Sequence, residues 1–181
     1  MIDLKTKGLL NAIEVNGTLF FLDVDFRVWL SFPARMEKLK DGDPAGYKGL
    51  FKCVPPVPTK AVLEALSAFY SPEREIPRSI GSDEALLDTD IDADYIYAAF
   101  LQVYGIDLLE EDMHWHKFSA LLGSLPQGTM MTDIISYRGY KGSSKDPAYK
   151  EHMKLKSIWA LPQLVSEEEK EAMEEFNRLF G

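Results

Sequence analysis

The sequence predicts a mainly helical α+β protein that begins with one β-hairpin. Apolar residues recur at helical spacing in most segments that follow Asp25. Asn16-Gly17 stands between two short apolar runs, which is the strongest local pattern for a hairpin. Residues 92–125 predict two apolar helices joined at Gly105, and we expect them to form a central antiparallel pair around which the other helices pack.

The 181 residues predict one domain over residues 1–181. Within it we expect a hairpin over 9–24, a helical body over 25–161 and an acidic C-terminal helix over 166–180. The formal net charge of −9 disfavours nucleic acid as a partner, because phosphates attract Lys and Arg. No run approaches the roughly 18 apolar residues of a membrane span, so we expect a cytoplasmic protein. The single cysteine, Cys53, excludes an intrachain disulfide and is expected to be buried.

The hairpin leads into a helix that begins at Phe26 and is capped by Asp23 or Asp25. Pro33 predicts a kink or restart, after which the helix resumes to Lys40. A loop follows over residues 41–46, and residues 47–53 form one or two helical turns at most.

Thr59 is expected to cap a helix that runs to Tyr70, after an extended proline-rich segment. Its buried side carries Val62, Leu66 and Phe69. The stretch from Ser71 to Asp90 has little periodicity and predicts a mobile loop.

The central helices have local signals at their ends. Gly105 is suited to end the first helix in a left-handed conformation. Asp107 followed by Glu110 predicts a cap for the second helix. His114, Phe118, Leu121 and Leu125 share one face of that second helix, with Trp115 and Leu122 beside them.

Three helices are expected after the central pair. A helix from Thr129 to Arg138 turns Met131, Ile134 and Ile135 inward. Asp146 is expected to cap a helix with Pro147 at its first position, ending near Ala160. Ser166 and Glu169 form a capping box for the last helix, which extends to Phe180.

The acidic run from Asp88 to Asp94 is not an EF-hand loop. An EF-hand needs Gly at position six and Glu at position twelve. Counting from Asp88 places Ala93 and Ala99 there, and counting from Asp90 also fails. We interpret the run as acidic residues that favour a helix N-terminus.

His114 and His116 are the best candidates for a metal or general-base site, and the pattern disfavours both. Residues two apart on a helix point away from each other, so one metal cannot bind both rings. We expect His114 to be a hydrogen-bonded core residue and His116 to be exposed. The chain has no Gly-rich phosphate loop, nucleophile elbow or Cys/His cluster. We therefore expect no metal, no cofactor and no enzymatic activity.

Two charged segments occur near the C-terminus. They are interpreted as solvated helix faces, partly paired with each other, or as a charged surface for a partner. The basic segment comprises Arg138, Lys141, Lys145, Lys150, Lys154 and Lys156, and the acidic one Glu167, Glu168, Glu169, Glu171, Glu174 and Glu175.

Three stretches, taken in order, resemble the bacteriophage gene-product-fifteen family. They are Asp25-Phe26-Arg27-Val28-Trp29, the run from Ile96 through Phe100 and Tyr104 to Asp107-Leu108, and His114-Trp115-His116-Lys117-Phe118 with Leu121-Leu122. The resemblance extends from the hairpin to the Lys-rich helix near Lys154. Phe32-Pro33 departs from the family, which usually has an acidic residue after the aromatic.

The resemblance implies a role in phage tail assembly. Family members come from long-tailed phages and prophages, where their genes lie between those of the major tail protein and the tape measure protein. It implies a tail assembly chaperone in the cytoplasm of a bacterial host, bound to the tape measure or to a second tail chaperone, with self-association as a further possibility. The alternative is a structural tail subunit retained in the virion.

The motif residues are the candidate positions for core packing or partner binding. Trp29, Trp115 and Trp159 are aromatic residues of the kind that anchor interfaces, with core packing as the alternative for each. The candidates are Asp25, Phe26, Arg27, Trp29, Phe100, Tyr104, Asp107, His114, Trp115 and Phe118.

Overall fold

The structure is a computed structural model that describes residue 2 and residues 4–71, 85–143 and 145–162. In these ranges the chain forms two strands, seven α-helices and one 3-10 helix, so the predicted fold class is confirmed. The helix predicted over 166–180 and most of the predicted mobile loop lie outside the described residues. The elements are β1 (Ala12–Val15), β2 (Thr18–Phe21), α1 (Phe26–Leu30), α2 (Phe32–Lys40), the 3-10 helix (Pro44–Tyr47), α3 (Lys60–Tyr70), α4 (Ala93–Tyr104), α5 (Trp115–Leu122), α6 (Met130–Arg138) and α7 (Tyr149–Trp159).

The N-terminal hairpin has the predicted turn. β1 and β2 are antiparallel, with Val15 opposite Thr18. Asn16 and Gly17 connect them with φ angles of 50° and 78°. Positive φ at both positions is the type I′ geometry that matches the twist of the flanking strands. β1 packs against α3 and buries Ile13 and Val15.

The predicted interruption at Pro33 is confirmed. The side chain of Asp25 accepts the N–H of Arg27 at 3.0 Å and caps α1. Ser31 separates α1 from α2, and Pro33 lies in the first turn of α2. A proline there loses no helical hydrogen bond, because first-turn N–H groups have no partner within the helix.

The segment after α2 differs from the prediction. Asp43 accepts the N–H of Ala45 at 2.9 Å and starts the 3-10 helix inside the expected loop. The helical turns expected over residues 47–53 are absent, because this stretch pairs with the end of the hairpin. Leu22 and Phe51 form an antiparallel bridge, so backbone N–H and C=O groups that a helix would need are bonded to the hairpin instead.

Cys53 was expected to be buried, and it is exposed instead. Its neighbour Lys52 donates its N–H to the carbonyl of Phe21 at 3.0 Å. The segment is thereby fixed along the outside of β2, and the thiol has no core to enter.

Helix α3 is as predicted. Thr59 caps it by accepting the N–H of Val62 at 3.4 Å, and Val62, Leu66 and Phe69 form its buried side. The ring of Phe69 lies 4.4 Å from that of Trp29, which joins α3 to α1.

The ends of the central helices are only partly as predicted. Gly105 ends α4 with φ of 65°. Asp107 does not cap the second helix, because its Oδ1 accepts the N–H of Leu109 at 2.9 Å in a local turn. Helix α5 begins at Trp115, where the Nδ1 atom of His114 serves as the cap.

Helix α6 is as predicted. Thr129 caps it by accepting the N–H of Thr132 at 3.2 Å. Met131 and Ile134 are buried, and Ile135 is half-buried.

Helix α7 begins two residues later than predicted, at Tyr149 instead of Pro147. Asp146 accepts the N–H of Ala148 at 2.9 Å and its carbonyl accepts that of Tyr149, so residues 146–149 form a turn before the helix.

The predicted central antiparallel pair is not closely packed: the backbones of α4 and α5 are not among the closest neighbours, and the two helices meet through side chains inside one larger core. Their contact is made by Phe100 and Phe118, whose rings stack with centroids 5.2 Å apart. The backbone of α5 lies nearest α1, and that of α4 lies nearest α6. The core therefore joins the hairpin, α1, α3 and α6 to this pair. Among the described residues, no helix has the length and apolar character needed to cross a membrane.

Candidate functional site: an apolar groove beside helix α4

The structure brings two of the resembling motifs together as neighbouring backbones. Phe26 donates its N–H to the carbonyl of Met113 at 2.9 Å, and Trp115 donates to that of Val24 at 2.7 Å. Asp25 and His114 form the isolated antiparallel bridge between these bonds. Residues almost 90 positions apart in the sequence thus fix where α1 and α5 begin.

Three aromatic residues of the motifs form a continuous stack. Phe118 lies between Phe26, at a centroid distance of 4.5 Å, and Phe100, at 5.2 Å. All three rings are buried. The stack joins α1, α5 and α4, and its edge forms part of the groove described below.

Arg27 holds the connection between α4 and α5 against α1. Its Nη2 donates to the carbonyls of Leu108 at 2.8 Å and Glu111 at 3.0 Å. Its Nη1 donates to Asp25 at 2.9 Å, and Asp112 lies 3.7 Å away. Backbone carbonyls that no helix uses are therefore satisfied by one guanidinium.

The polar ends of the motif tryptophans and of His116 bind backbone carbonyls. Trp29 Nε1 donates to Asp23 at 2.6 Å, and Trp115 Nε1 donates to Tyr70 at 2.9 Å. His116 was expected to be exposed, but it is 5% exposed, with Nε2 2.7 Å from the carbonyl oxygen of Phe69. Its burial follows from the helix start, since it lies in the first turn of α5 beside α3. Trp29 and Trp115 pack in the core, whereas Trp159 is half-buried.

His114 is a half-buried cap residue rather than a helical core residue. Its Nδ1 accepts the N–H of His116, and its Nε2 lies 2.9 Å from the carbonyl oxygen of Leu10. Burial lowers the pKa of His114, which favours the neutral ring that accepts at Nδ1 and donates at Nε2.

The two histidine rings were expected to point away from each other on one helix, and this is wrong. His114 lies before α5, and the centroids of the two rings are 5.0 Å apart. The Nε2 atom of each ring is bound to a backbone carbonyl, and Nδ1 of His114 accepts the N–H of His116. In the described ranges, no three His, Cys, Asp or Glu side chains are grouped to hold a metal ion.

Tyr104 and Asp107 also make framework contacts. The hydroxyl of Tyr104 donates to the carbonyl of Leu121 at 2.9 Å, which ties α4 to α5. Oδ2 of Asp107 accepts the hydroxyl of Tyr97 at 3.2 Å. The ten motif candidates are thus mainly structural, and three of them border an open groove.

The α1–α4 groove lies between α1, the start of α4 and the connection around Leu108. It has a volume of about 210 Å³. An apolar cavity of about 150 Å³ is enough for a benzene molecule, so the groove can accept one large apolar side chain. Its lining residues are Phe26, Arg27, Leu30, Thr89, Ala93, Ile96, Tyr97, Leu108, Leu109 and Phe118.

Apolar surface continues from the groove onto the exposed side of α4. Leu109 at the groove is 76% exposed, and Leu101 is 47% exposed. Ala93, Tyr97 and Leu101 are spaced four residues apart and therefore lie along one side of α4. The result is an elongated apolar strip rather than a closed cavity.

Acidic residues adjoin the lining residues of the groove in sequence, and Asp107 accepts the hydroxyl of the lining residue Tyr97 at 3.2 Å. We define the acidic rim as Asp88, Asp90, Asp94, Asp107 and Glu110, which neighbour the lining residues of the groove in sequence. Burial, together with the nearby charges of Asp107 and Glu110, raises the pKa of the Tyr97 hydroxyl. Arg27 carries the only positive charge among these described lining residues, and carbonyls and Asp25 already bind it.

A second cleft, of about 410 Å³, lies on the other side of α1 and is polar. Three of its charged groups are paired with each other, since Arg27 contacts Asp25 and Asp112. Asp23 accepts the N–H of Asp25 at 3.1 Å. Most charged side chains of this cleft already have partners, so the apolar groove is the stronger candidate.

A buried ion pair at the start of α4 was not predicted. Asp92 is 1% exposed and Arg138 is 6% exposed, and the carboxylate accepts two guanidinium hydrogen bonds at 2.6 and 2.8 Å. Arg138 also donates to the carbonyls of Leu86 at 3.1 Å and Trp159 at 2.6 Å. One signal in the sequence was available, because Arg138 continues the apolar face of Ile134 on α6.

The predicted basic segment is therefore smaller than expected. Arg138 is internal, and Lys156 is half-buried with Nζ 3.3 Å from the carbonyl oxygen of Tyr140. Lys141, Lys145, Lys150 and Lys154 remain exposed. The acidic segment, and any pairing with it, lies outside the described residues.

Comparison with known proteins places the chain in a phage family. The model of the family described as Bacteriophage Gp15 protein matches residues 60–161, which is more than half of the chain. No curated protein and no solved structure matches the chain significantly. The match covers the motifs around Phe100 and Phe118, whereas Asp25–Trp29 lies before it. On this evidence the chain belongs to the Bacteriophage Gp15 protein family.

Proposed function

We propose that this protein is a non-enzymatic morphogenesis factor of phage or prophage tails. It acts as a tail assembly chaperone that holds apolar helical segments of another tail protein, most directly the tape measure protein. The observation that carries the proposal is the α1–α4 groove, where a 76% exposed leucine, Leu109, borders an apolar opening.

The geometry of the groove suits a helical ligand. An amphipathic helix binds by placing apolar side chains from one face into a groove. The tape measure protein is long and largely helical, so it exposes such faces before the tail is complete. The family resemblance implies that the gene of this protein lies beside the tape measure gene, which supports the proposed partnership.

The groove is supported by fixed contacts. Arg27 holds the backbone at Leu108, and the ring of Phe118, stacked on Phe26, lines the groove. A preformed site loses little conformational freedom on binding, which favours affinity. Apolar contact supplies most of the affinity in this proposal, and the charged rim sets orientation and encounter rate.

Co-expression with the tape measure gene tests the proposal. We expect the two proteins to co-purify at low and high salt, with modest weakening at high salt because exposed ion pairs are worth about 0–1 kcal/mol each. Leu109→Ser should reduce co-purification. Leu19→Ser is the matched control, because Leu19 is a 59% exposed leucine on the hairpin.

Two results would redirect the proposal. Failure to co-purify at either salt, with both proteins soluble, would remove the tape measure and leave a second tail chaperone or self-association. Loss of binding with Leu19→Ser alone would move the binding surface to the hairpin.

The alternative is a structural tail subunit retained in the virion. The outward face of the hairpin favours it, because Leu19 and Phe21 are at least 50% exposed and provide a second apolar surface for a neighbour. Mass spectrometry of purified virions separates the two. A chaperone is absent, whereas a structural subunit is present in a fixed copy number.

A further inference from the structure

We infer that the α1–α4 groove selects a basic amphipathic helix, with one large apolar anchor flanked by Lys or Arg. This inference rests on the proposed function for its biological partner, but the chemistry of the groove carries it. Three features lead to it, namely the elements that border the groove, its size and the charge around it.

The bordering elements favour a helix over a strand. A bound strand needs free backbone N–H and C=O groups along an edge. The groove lies between α1 and the start of α4. There the N–H of Phe26 binds the carbonyl of Met113, the N–H of Arg27 binds Asp25, and the Arg27 guanidinium holds the carbonyl of Leu108. The groove therefore offers mainly side chains, and its apolar strip runs along α4 from Ala93 to Leu101. A helix presents side chains at the matching spacing.

The size of the groove fits one anchor. Its volume of about 210 Å³ accommodates a Leu, Phe or Trp side chain, with Leu109 and Tyr97 at its sides. A second, smaller apolar residue one helical turn away meets Leu101, which is exposed beyond the groove. This places two contact positions about four residues apart on the partner.

The charge around the groove determines which residues should flank the apolar anchor of the bound helix. In sequence, the acidic rim adjoins the lining at Asp88 to Asp94 and at Asp107 to Glu110, and in space Asp107 contacts the hydroxyl of the lining residue Tyr97 at 3.2 Å. The positive charge of Arg27 is committed to Asp25 and to two carbonyls. An acidic helix would be repelled at the rim, whereas Lys or Arg would be attracted, and complementary charge of this kind determines partner choice.

The test uses the full chain and three synthetic stapled helical peptides of equal length. The first has Phe and Leu four residues apart, with lysines on both sides of them. The second replaces each Lys with Glu, and the third keeps the lysines but replaces Phe and Leu with Ala. Fluorescence polarisation measures binding at low salt and at about 0.5 M salt, where charges more than a few Å apart are screened.

We expect the lysine peptide to bind and the other two to bind at least about tenfold more weakly at low salt. High salt should reduce the difference between lysine and glutamate peptides while the alanine peptide remains weak. The design separates attraction to net charge from recognition of the groove, because the alanine peptide retains every charge.

Variants locate the site. Glu110→Lys and Asp94→Lys should each weaken the lysine peptide about fivefold, the effect of an exposed pair worth up to about 1 kcal/mol. Glu14→Lys changes the net charge equally on the exposed part of β1 and should leave binding unchanged. Ala93→Leu fills the groove at an exposed position and should weaken the peptide strongly. Circular dichroism and melting curves confirm that each variant is folded.

Equal binding of the lysine and glutamate peptides would overturn the inference, as would equal effects of Glu14→Lys and Glu110→Lys. Its failure is distinguishable from failure of the proposed function. If Glu110→Lys and Ala93→Leu retain the tape measure protein in co-purification, the inference fails and the chaperone role stands. If the lysine peptide binds in the groove but the tape measure does not co-purify, the groove chemistry stands and the partner is another protein.

Discussion

The start of helix α4 contrasts a charged residue inside the protein with apolar residues outside it. Asp92 is almost completely buried against Arg138, while Ala93 and the nearby Leu109 are exposed at the α1–α4 groove. Each region reverses the usual arrangement of polar surface and apolar core. The buried pair is satisfied by hydrogen bonds within the chain, whereas the groove has apolar surface that nothing in the described residues covers.

The difference indicates that the buried ion pair serves the stability of the fold and that the groove serves binding. Arg138 joins Leu86, Asp92 and Trp159 and so fixes three segments of the chain. Its removal should act on stability. Leu109 does not connect segments in this way, and its removal should weaken the binding of a partner.

Arg138→Met is expected to have the largest effect on stability. It leaves the Asp92 carboxylate buried without its partner, and breaking a buried pair in this way costs about 3–5 kcal/mol. Urea unfolding measures the loss. The double variant Asp92→Leu/Arg138→Met is the control and should recover much of it, because no buried charge remains. An Arg138→Met protein as stable as the wild type would contradict the structural role of the pair.

Trp115→Ala should be nearly as damaging. Truncating a buried aromatic side chain costs about 3–5 kcal/mol, and Trp115 stacks on Tyr70 at a centroid distance of 4.9 Å. Phe118→Ala should behave similarly. If Trp115→Ala has wild-type stability yet fails to support tail assembly, the tryptophan is a binding anchor. Its assignment to the structural framework would then be wrong.

Acid provides a separate test of the buried pair. Burial raises the pKa of Asp92, but the hydrogen bonds from Arg138 and the Asp88 N–H, with the charge of Arg138, outweigh it and hold the pKa below that of an ordinary aspartate. Such a group stabilises the fold above its unfolded pKa, and the contribution is lost as the pH falls through the folded pKa. The free energy of unfolding should therefore fall more steeply with decreasing pH, from neutral pH into the acid range, for the wild type than for the double variant. Parallel curves would contradict this.

Gly17→Val should lower the stability less than the preceding substitutions. Gly17 lies in the hairpin turn, which is part of neither the buried ion pair nor the groove. A left-handed conformation costs an L-residue about 1–2 kcal/mol, and a β-branched residue resists it most. Melting temperature measures the loss, and Gly17→Asn is the control because Asn tolerates positive φ. An unchanged melting temperature for the valine variant would count against the type I′ turn.

Leu109→Ser should have the smallest effect on stability. Exposed substitutions usually change the free energy of unfolding by less than about 0.5 kcal/mol, although this variant should lose the lysine peptide. Leu108→Ser is the matched control, since Leu108 is buried beside it and should be markedly destabilised. Similar melting temperatures for the two variants would show that the groove is not open as described.

Sequence patterns predicted the features that depend on local chemistry. Asn16-Gly17, Thr59 and Gly105 each act through a few neighbouring backbone groups, so their roles could be inferred without the fold. The helix starts at α5 and α7 were misplaced, because Asp107 and Asp146 hydrogen-bond two residues onward and form turns before the helices. An acidic residue before an apolar run is compatible with both outcomes.

Long-range contacts account for the other errors. The burial of His116 depends on the carbonyl of Phe69, and the exposure of Cys53 depends on pairing with β2. The motif residues were identified, but the groove they border was not, because it also needs Thr89, Ala93 and Leu109 from separate segments. Helical spacing alone cannot show which apolar residues remain uncovered.

The pairing of Val24 with Trp115 has a consequence for protein synthesis. The ribosome makes roughly 90 residues between these two partners. At about 5–20 residues per second, this takes about 5–20 s, during which the start of α1 lacks its backbone partner. Phe26 and Trp29 are thus exposed on the nascent chain until Phe118 and its neighbours leave the ribosome. A protein proposed to protect others from aggregation therefore has a vulnerable interval of its own.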